Sequence, residues 1–580
     1  MNKDLLEKKK LYEEMLDFGL FGSLENYSMS TELFKRIYKK EKIAMDDYIQ
    51  LWRDYLPERR GLLSLYVHIP YCVERCYYCV SCSSKLKDDS QLEEYVEKLL
   101  TYFDFFSPKF EGQTFDNFYM GGGNPSILSA KLLDRLLDGV FSNFDFSEEG
   151  EKTVENDPRT TSFKKMEVLK KHGINRISIG VQSLSEEVLQ KNNRLMQSEE
   201  KVRRAIQAAD KVGFKAVNVD LMIGLYGDDE KTFLESFQKL AEMDPDEFSL
   251  YSLQPVRGYL EKIYQLDRKT FYKKRKEFYD NVISEVEEWV VGSEYHLPHY
   301  SEMSKDFNDA DSIKIKKKDL DSFETSYASR LVNRISAVLG IGYGAESLIP
   351  GKAECFWMKE LTEDPNDYFI YASPLDEESQ LVKDLINIVS NRNKLYFSKL
   401  EENHDSRQVD KIKKIFKEIE KNGAVEIEGD LVEFNFNGVR DKFLHSLLFF
   451  DENKVVDLIP LEKSTSDKDD QTSSKLKKEL SEKQELLKEE GKAIRVEGVV
   501  NDKREDFLEI ILDSDETMEV KVDKETLVVE SILDLSNDFQ LIENKKIGLN
   551  DLKEEDSLNV HFLKDERVAV LIQKFTALHL

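Results

Sequence analysis

Between about residues 64 and 255 the chain alternates short β-rich runs with amphipathic helical stretches, a rhythm that restricts it to repeated βα units around a parallel sheet. The runs are LYVHI at 65–69, FDNFYM at 115–120, KTVEN at 152–156, RISIGV at 176–181, AVNVDLMI at 216–223 and FSLYSL at 248–253. Stretches between them, such as SEEKVRRAIQAADKVG and DEKTFLESFQKLAEM, carry apolar residues at helical spacing and begin with a Ser or Asp suited to capping. Six strands joined by right-handed crossovers curl into a partial (β/α)6 barrel of the TIM type, and chemistry on that scaffold gathers at the C-terminal ends of the strands.

A chain of 580 residues exceeds one hydrophobic core, so further domains are expected. The expected organisation is a helical N-terminal extension over 1–60, the α/β core with its flanking region over 61–375, a winged-helix-like module over 376–462, a charged linker over 463–492 and a small all-β barrel over 493–580. The module is read from two helical stretches before the alternating run AVEIEGDLVEFNFNG, the linker from its Ser, Lys and Glu content, and the barrel from six short strands at regular intervals. The barrel carries no chemical motif and is read as an interaction module. A net charge of −29 disfavours nucleic acid and anionic lipid. No apolar run is long enough to cross a bilayer, and the first residues lack a signal peptide's apolar core. A cytoplasmic protein with a small-molecule substrate is expected.

Four of the five cysteines fall between Cys72 and Cys82, so they form a site rather than a disulfide framework. Cys72, Cys76 and Cys79 have CxxxCxxC spacing directly after the first strand. Three thiolates suit three irons of a cubane cluster and leave the fourth iron open. The competing reading is zinc held by these three and Cys82, although structural zinc usually draws on two separated pairs. Tyr78, between the second and third ligands, is placed to shield the cluster. Cys82 has three readings: a fourth ligand, a redox-active thiol beside the substrate, or ordinary buried packing. It is carried as the one candidate catalytic side chain.

After the second strand, YMGGGNPS leaves Gly121, Gly122 and Gly123 without side chains, so a ligand can approach the backbone closely. Glu155 ends the third strand, Gln182 and Arg194 follow the fourth, and Asp220 lies in the fifth. Each alone is more often a structural hydrogen bonder, but in a barrel these strand ends converge.

In order along the chain, YVHIPYC with CYYC, GGGNPS, VENDP, RISIGVQS, DLMIGL and GIGYGAES resemble the radical S-adenosylmethionine (SAM) family of oxygen-independent coproporphyrinogen III oxidases, the HemN-like group, over roughly residues 60 to 450. The resemblance implies a [4Fe–4S] cluster on Cys72, Cys76 and Cys79. It implies SAM contacts at Tyr66, Tyr78, Gly122, Gly123, Asn124, Glu155, Gln182, Arg194, Asp220, Ser252 and Glu346. It further implies an external electron donor of the flavodoxin or ferredoxin type and a tetrapyrrole substrate, decarboxylated oxidatively or modified as haem. The chain departs from the family in having CxxC rather than CxC at the fourth cysteine, GGGNP for GGGTP and GLYG for GLP, and it lacks the HNxxYW pattern of the related haem chaperones. Two other functions within the group are a class C radical methyltransferase and a haem-binding chaperone, for which His68, His296 and His299 are the candidate haem ligands.

Overall fold

The computed structural model describes residues 40–59, 61–253, 259–266, 268–297, 312–320, 336–391, 394–401, 404–436, 445–446 and 448–449, and seven strands between 493 and 578. Most of the expected N-terminal extension, all of the charged linker and His299 lie outside the described residues. Residues 38–439 form one compact unit, to which the strands beyond 493 do not belong.

The larger unit begins with β1 (Glu41–Ala44), α1 (Met45–Tyr55), β2 (Leu62–Ile69), α2 (Ser90–Phe106), β3 (Asn117–Gly122), α3 (Ala130–Asn143), β4 (Lys152–Asn156) and α4 (Phe163–Lys171). It continues through β5 (Arg176–Gln182), α5 (Glu186–Lys191), α6 (Glu199–Val212), β6 (Ala216–Ile223), α7 (Glu230–Ala241), β7 (Glu247–Ser252), α8 (Arg268–Gly292), β8 (Tyr295–His296) and β9 (Ser312–Lys317). The last strands are β10 (Ser336–Ile341), β11 (Glu346–Ile349), β12 (Ala353–Phe356) and β13 (Phe369–Pro374). Together they form a 13-stranded sheet ordered β1-β13-β12-β11-β10-β2-β3-β4-β5-β6-β7-β9-β8.

The six expected strands, β2 to β7, are all present, adjacent in sequence order and parallel. A seventh parallel strand, β10, pairs with the other side of β2. Antiparallel strands extend both flanks, and β1 and β8 each have a single neighbour, so the barrel is partial. Side chains of Ser129, Ser162, Ser185, Ser198 and Asp229 accept hydrogen bonds from backbone amides in the first turns of α3 to α7, which fixes where each helix leaves the sheet.

One face of each parallel strand is apolar. Leu63, Leu65 and Val67, Ile177 and Ile179, Val219 and Leu221, and Phe248 and Leu250 are buried with helix residues such as Leu99, Tyr102, Phe106, Leu136 and Phe237. The alternate positions point the other way and are polar: Ser64 and His68, Asn117 and Tyr119, Thr153 and Glu155, Arg176 and Ser178, Asn218 and Asp220, Glu247 and Ser249. Parallel strands covered on both faces usually read as continuous apolar runs. This sheet instead encloses a polar interior.

Strand β3 runs to Gly122, two residues beyond the run read from the sequence. Glycine carries little strand signal, yet the pairing of β2 with β3 continues through His68↔Gly121 and Ile69↔Gly122. A Cβ on Gly121 would lie 2.8 Å from the Glu155 carboxyl carbon, and one on Gly122 would lie 2.6 Å from the His68 ring.

Beyond the sheet, α9 (Glu377–Asn391), β14 (Lys394–Tyr396), α10 (Phe397–Glu401), α11 (Ser406–Glu420), β15 (Val425–Glu428) and β16 (Leu431–Phe434) form a module with an antiparallel sheet ordered β14-β16-β15. The strand β14 and the short α10 add to the two helices and hairpin read from the sequence. In the separate unit, β17 (Ala493–Lys503), β18 (Phe507–Leu512), β19 (Thr517–Lys521), β20 (Leu527–Asp534), β21 (Gln540–Lys546), β22 (Ser557–Leu563) and β23 (Ala569–Leu578) are ordered β19-β18-β17-β22-β23-β20-β21. Strand β21, with the sequence QLIENKK, was not among the six expected because its charges obscure the alternation. The end strands β19 and β21 do not pair with each other, so the described residues form an open sheet rather than the closed barrel expected. No described helix is long and apolar enough to cross a membrane.

The polar interior depends on compensated charge. The Glu247 side chain is fully buried, and Arg176 and Lys316 each reach it at 2.7 Å. Burial works to raise the Glu247 carboxyl, but Arg176, Lys314 and Lys316 outweigh it and hold it at about 2. Its contribution to stability is therefore present above the unfolded value of about 4.3 and lost as pH falls towards 2. Replacing Arg176 with Met should cost about 3 kcal/mol in urea unfolding at pH 7, the low end for a broken buried pair because Lys316 remains. A loss below about 1 kcal/mol would show that the pair does not hold the interior together.

Candidate active site

The cysteine loop leaves the C-terminal end of β2. Its base is closed by a short parallel pairing of Tyr71–Cys72 with Ser84–Lys85, where the Ser84 amide donates to the Pro70 carbonyl at 2.8 Å and the Leu86 amide to that of Cys72 at 2.9 Å. Its tip turns through a hydrogen bond from the Cys79 amide to the Cys76 carbonyl at 3.1 Å. The tip is tied to the segment after α5 by the Tyr77 amide on the Asn192 carbonyl at 3.2 Å and by Asn193 Nδ2 on the Arg75 carbonyl at 2.9 Å.

Cys72, Cys76 and Cys79 all line one cavity of about 340 Å³. Burial pushes the Cys72 thiol up to about 12, and negative charge at Cys79 and Cys76 adds to the effect. Thiolates gathered here therefore need a cationic centre between them. No three cysteine sulfurs among the described residues lie within 4.8 Å of one another. Four sulfurs around one zinc ion would stand about 3.8 Å apart, from Zn–S bonds of about 2.3 Å in a tetrahedron. The all-thiol donor set suits the soft ligand preference of an iron–sulfur centre.

Strand ends supply the rest of the cavity wall. The Gly123 amide donates to the Ile69 carbonyl at 2.8 Å, which holds the glycine run against β2, and a Cβ on Gly123 would lie 2.8 Å from the Tyr71 carbonyl oxygen. Asn124 is buried and engaged by Thr160 at 3.0 Å and Ser126 at 2.7 Å, so it braces the loop. Glu155 accepts from the Tyr119 hydroxyl at 2.8 Å and the Gly122 amide at 3.2 Å. Burial, reinforced by nearby Asp220, pushes its carboxyl up to about 7. Asp220 accepts from Asn218 Nδ2 at 2.7 Å and the Ser178 hydroxyl at 3.1 Å, and burial also raises it above the ordinary carboxylate value. Gln182 sits in the left-handed region at φ 69°, and its buried Oε1 has no hydrogen-bond partner among the described residues.

Arg194 crosses from the segment after α5 to donate to the Gly180 carbonyl and lies 3.7 Å from Cys76 Sγ. It also approaches Asp157 at 3.4 Å, and Arg159 grips the same carboxylate through Nε at 2.9 Å and Nη2 at 2.6 Å. Burial alone would raise Asp157, but Arg194 and Arg159 more than offset it and hold the carboxyl below its ordinary value. Asp157 and Arg159 line the cavity but were not singled out in the sequence, although VENDPRT places them just after Glu155. Met222 and Tyr251 were also missed, because in a strand run they read as ordinary packing.

Tyr66, Cys82, Ser252 and Glu346 do not line the cavity. The Tyr66 hydroxyl meets His68 Nδ1 at 2.9 Å, and His68 Nε2 meets the Cys82 carbonyl at 2.8 Å. A carbonyl only accepts, so Nε2 carries the proton and Nδ1 accepts from Tyr66. Burial pushes His68 down to about 4, and with both ring nitrogens engaged it is not placed to ligate haem. Cys82 packs against Gly344, where an added Cβ would lie 2.6 Å from the Cys82 Cβ. Ser252 is buried at the end of β7, and Glu346 is exposed at the start of β11. His296 lies on the edge strand β8, away from the cavity lining.

Residues 66–240, from β2 through α7, match the Radical SAM superfamily and constitute a radical SAM domain. The heme chaperone HemW of Escherichia coli (strain K12) is 37% identical over 191 residues, covering 33% of this chain and 50% of HemW. The oxygen-independent coproporphyrinogen III oxidase of the same organism is 33% identical over 196 residues, covering 34% of this chain and 42% of that enzyme. The chain spans about half the length of the curated relatives it matches. The solved structure of coproporphyrinogen III oxidase (HemN) from Escherichia coli, described as a radical SAM enzyme, superposes with a TM-score of 0.56 at 21% identity, covering 70% of this chain and 93% of that one, a likeness of fold. Residues 66–240 are thus a radical SAM domain similar to those of HemN and HemW, and the α/β fold expected from the sequence is borne out.

Glu155 makes the site's burial measurable. Its carboxyl, raised to about 7, keeps a proton in the folded state that the unfolded chain gives up near 4.3. Stability should therefore fall as pH rises from about 4.3 through 7. Replacing Glu155 with Gln should remove that slope and leave the variant more stable than the parent at pH 8, by on the order of 3 kcal/mol, with the difference vanishing near pH 4. Parallel urea midpoints for the two proteins across that range would show whether burial makes ionising Glu155 costly in the fold.

Proposed function

We propose that Cys72, Cys76 and Cys79 hold a [4Fe–4S] cluster, that the adjoining cavity binds SAM, and that the enzyme acts on a tetrapyrrole. The observation that carries this reading is one cavity walled by three cysteines together with Gly122, Gly123, Glu155, Gln182, Arg194 and Asp220. With an electron from an external donor of the flavodoxin or ferredoxin type, such a cluster and SAM supply a 5′-deoxyadenosyl radical that abstracts hydrogen from a substrate.

The chain's own residues prepare the site. Gly122 and Gly123 line the cavity where the amino-acid end of SAM would lie, and the absence of a Cβ lets His68 and the Tyr71 carbonyl pack against them. Gln182 Oε1 is an unsatisfied acceptor, and such an atom, when buried, favours a ligand that donates to it. Glu155 and Asp220 offer carboxyl groups to ribose hydroxyls or an amine. Arg194 joins the cysteine loop to β5 and β4 through Cys76, Gly180 and Asp157, so it fixes the loop's position over the strand ends. The Tyr78 ring, buried beside Cys76, keeps water from that side of the loop.

A tetrapyrrole is favoured because the names of both matched relatives refer to one, coproporphyrinogen or heme. Oxidative decarboxylation of a propionate, or modification of haem, is the reaction proposed. The likeness to a heme chaperone supports a second reading, in which haem is bound without turnover.

Protein rebuilt anaerobically with iron and sulfide should convert SAM to 5′-deoxyadenosine when given dithionite, and should release carbon dioxide from coproporphyrinogen III. Cys72→Ala, Cys76→Ala and Cys79→Ala should each lose iron and the nucleoside product, and Gln182→Leu should weaken SAM binding about tenfold, the effect of one lost hydrogen bond. Retention of zinc instead of iron would refute the cluster, and S-adenosylhomocysteine among the products would point to methyl transfer. Stoichiometric haem binding without SAM cleavage would favour the second reading.

A further inference from the structure

We propose that Lys314 is a positioning residue, placing from β9 a positive charge that favours the acceptor form of Asp220 at the cavity wall. The inference rests on the reading of that cavity as a SAM site. Nothing in the sequence motifs points to Lys314. It lies in SIKIKK on β9, and it does not itself line the cavity.

The geometry follows from strand register. Asp220 on β6 pairs with Ser249 on β7, and Ser249 pairs with Lys314 on β9. Neighbours of Lys314 on β9, Ile313 and Ile315, are buried in the apolar core with Phe248 and Leu250. Lys314 must therefore point to the opposite, polar face, the one that carries Ser249 and Asp220. Serine is the only side chain between the lysine and the aspartate along that row, and it is short. The long lysine side chain can pass over it, whereas an apolar residue of strand type at 249 would fill that path. Ser249 is itself turned aside to donate to Asn218 Oδ1 at 2.9 Å.

Other cations of the interior are already committed. Arg176 and Lys316 are both ion-paired to Glu247. No described carboxylate forms a direct ion pair with Lys314, which leaves its charge to act on the interior as a whole. The titratable groups facing Asp220 are Arg176 from β5, Glu155 from β4, Tyr119 from β3, Tyr251 from β7 and Lys314 from β9. Burial raises Asp220, and Arg176, the hydrogen bonds from Asn218 and Ser178, and Lys314 act against it. Lys314 is pushed down by burial and by Arg176, while Glu247 and Glu151 oppose that. Each of Lys314 and Asp220 is thus more readily charged with the other present.

Two readouts test this. In urea unfolding of the protein without added SAM, the cost of Lys314→Met should grow as pH rises through the range in which Asp220 ionises, above a constant part due to the lost attraction for Glu247. That dependence should disappear in an Asp220→Asn background, and Lys314→Arg should keep most of the parent's stability. Lys314→Gln replaces the methionine variant if that fails to fold. In anaerobically reconstituted protein, SAM binding by Lys314→Met should be about tenfold weaker than the parent over the pH range in which Asp220 ionises, one pKa unit's worth, and should converge with it at higher pH, where Asp220 is ionised in both. A cost that does not vary with pH, or a pH dependence that persists in Asp220→Asn, would overturn the proposal. Failure of the parent itself to bind SAM would overturn the reading of the cavity, while the unfolding series would still decide whether Lys314 and Asp220 are coupled.

Discussion

The close packing of β3 against its two neighbours, β2 and β4, is the constraint on which the rest of the site depends. His68 from one side and Glu155 from the other each occupy the space that a Cβ at Gly122 or Gly121 would fill. Because β3 ends in glycine, its neighbours can turn an imidazole and a carboxylate inward at the same level. The cysteine loop then starts from β2 directly beside the bare backbone of Gly123. A side chain at any of these glycines would separate the thiols from the strand ends, and the cavity between them would close or shift.

Such a site needs an interior that tolerates charge, which explains the unusual alternation along the parallel strands. Burying Glu155, Asp220 and Glu247 in an apolar barrel would be costly unless each were neutral or paired. The structure uses both solutions, at different depths. At the level of Arg176 and Lys316, Glu247 is paired and stays ionised. Nearer the cavity, Glu155 and Asp220 have hydrogen-bond donors but no ion pair, and both are raised. Ionisation at those positions is therefore sensitive to what enters the cavity, and a ligand that donates hydrogen bonds to them would favour their charged forms.

Much of the architecture was legible in the sequence because it is local. The six parallel strands were recoverable from β-rich runs between capped helices, and Ser198 and Asp229 cap the helices they announce. Cys72, Cys76 and Cys79 were legible because their spacing is itself local. What escaped was set by pairing between distant segments. Strand β10, some 270 positions beyond β2, completes the parallel set through a register that no periodicity reveals. Asp157 was overlooked because a carboxylate after a strand gives no sign of the two arginines that converge on it. Tyr66 and Glu346 were singled out through family likeness, and here neither lines the cavity: Tyr66 is engaged with His68 and Glu346 is exposed.

Arg194 shows how these two kinds of information meet. In sequence it is one arginine after a short helix, with no periodic reason to be chosen. In space it spans three elements, touching Cys76 of the ligand loop, the Gly180 carbonyl of β5 and Asp157 after β4. A guanidinium suits this task because its planar fork offers several donors in fixed directions and keeps its charge when buried. A lysine could neutralise Asp157 but could not also bond the Gly180 carbonyl and reach the cysteine sulfur in one rigid geometry. The loop that carries the cysteines has little regular structure of its own, so its placement over the strand ends depends on such cross-links. Arg194 therefore contributes to the site chiefly by tying the cysteine loop to the strand ends.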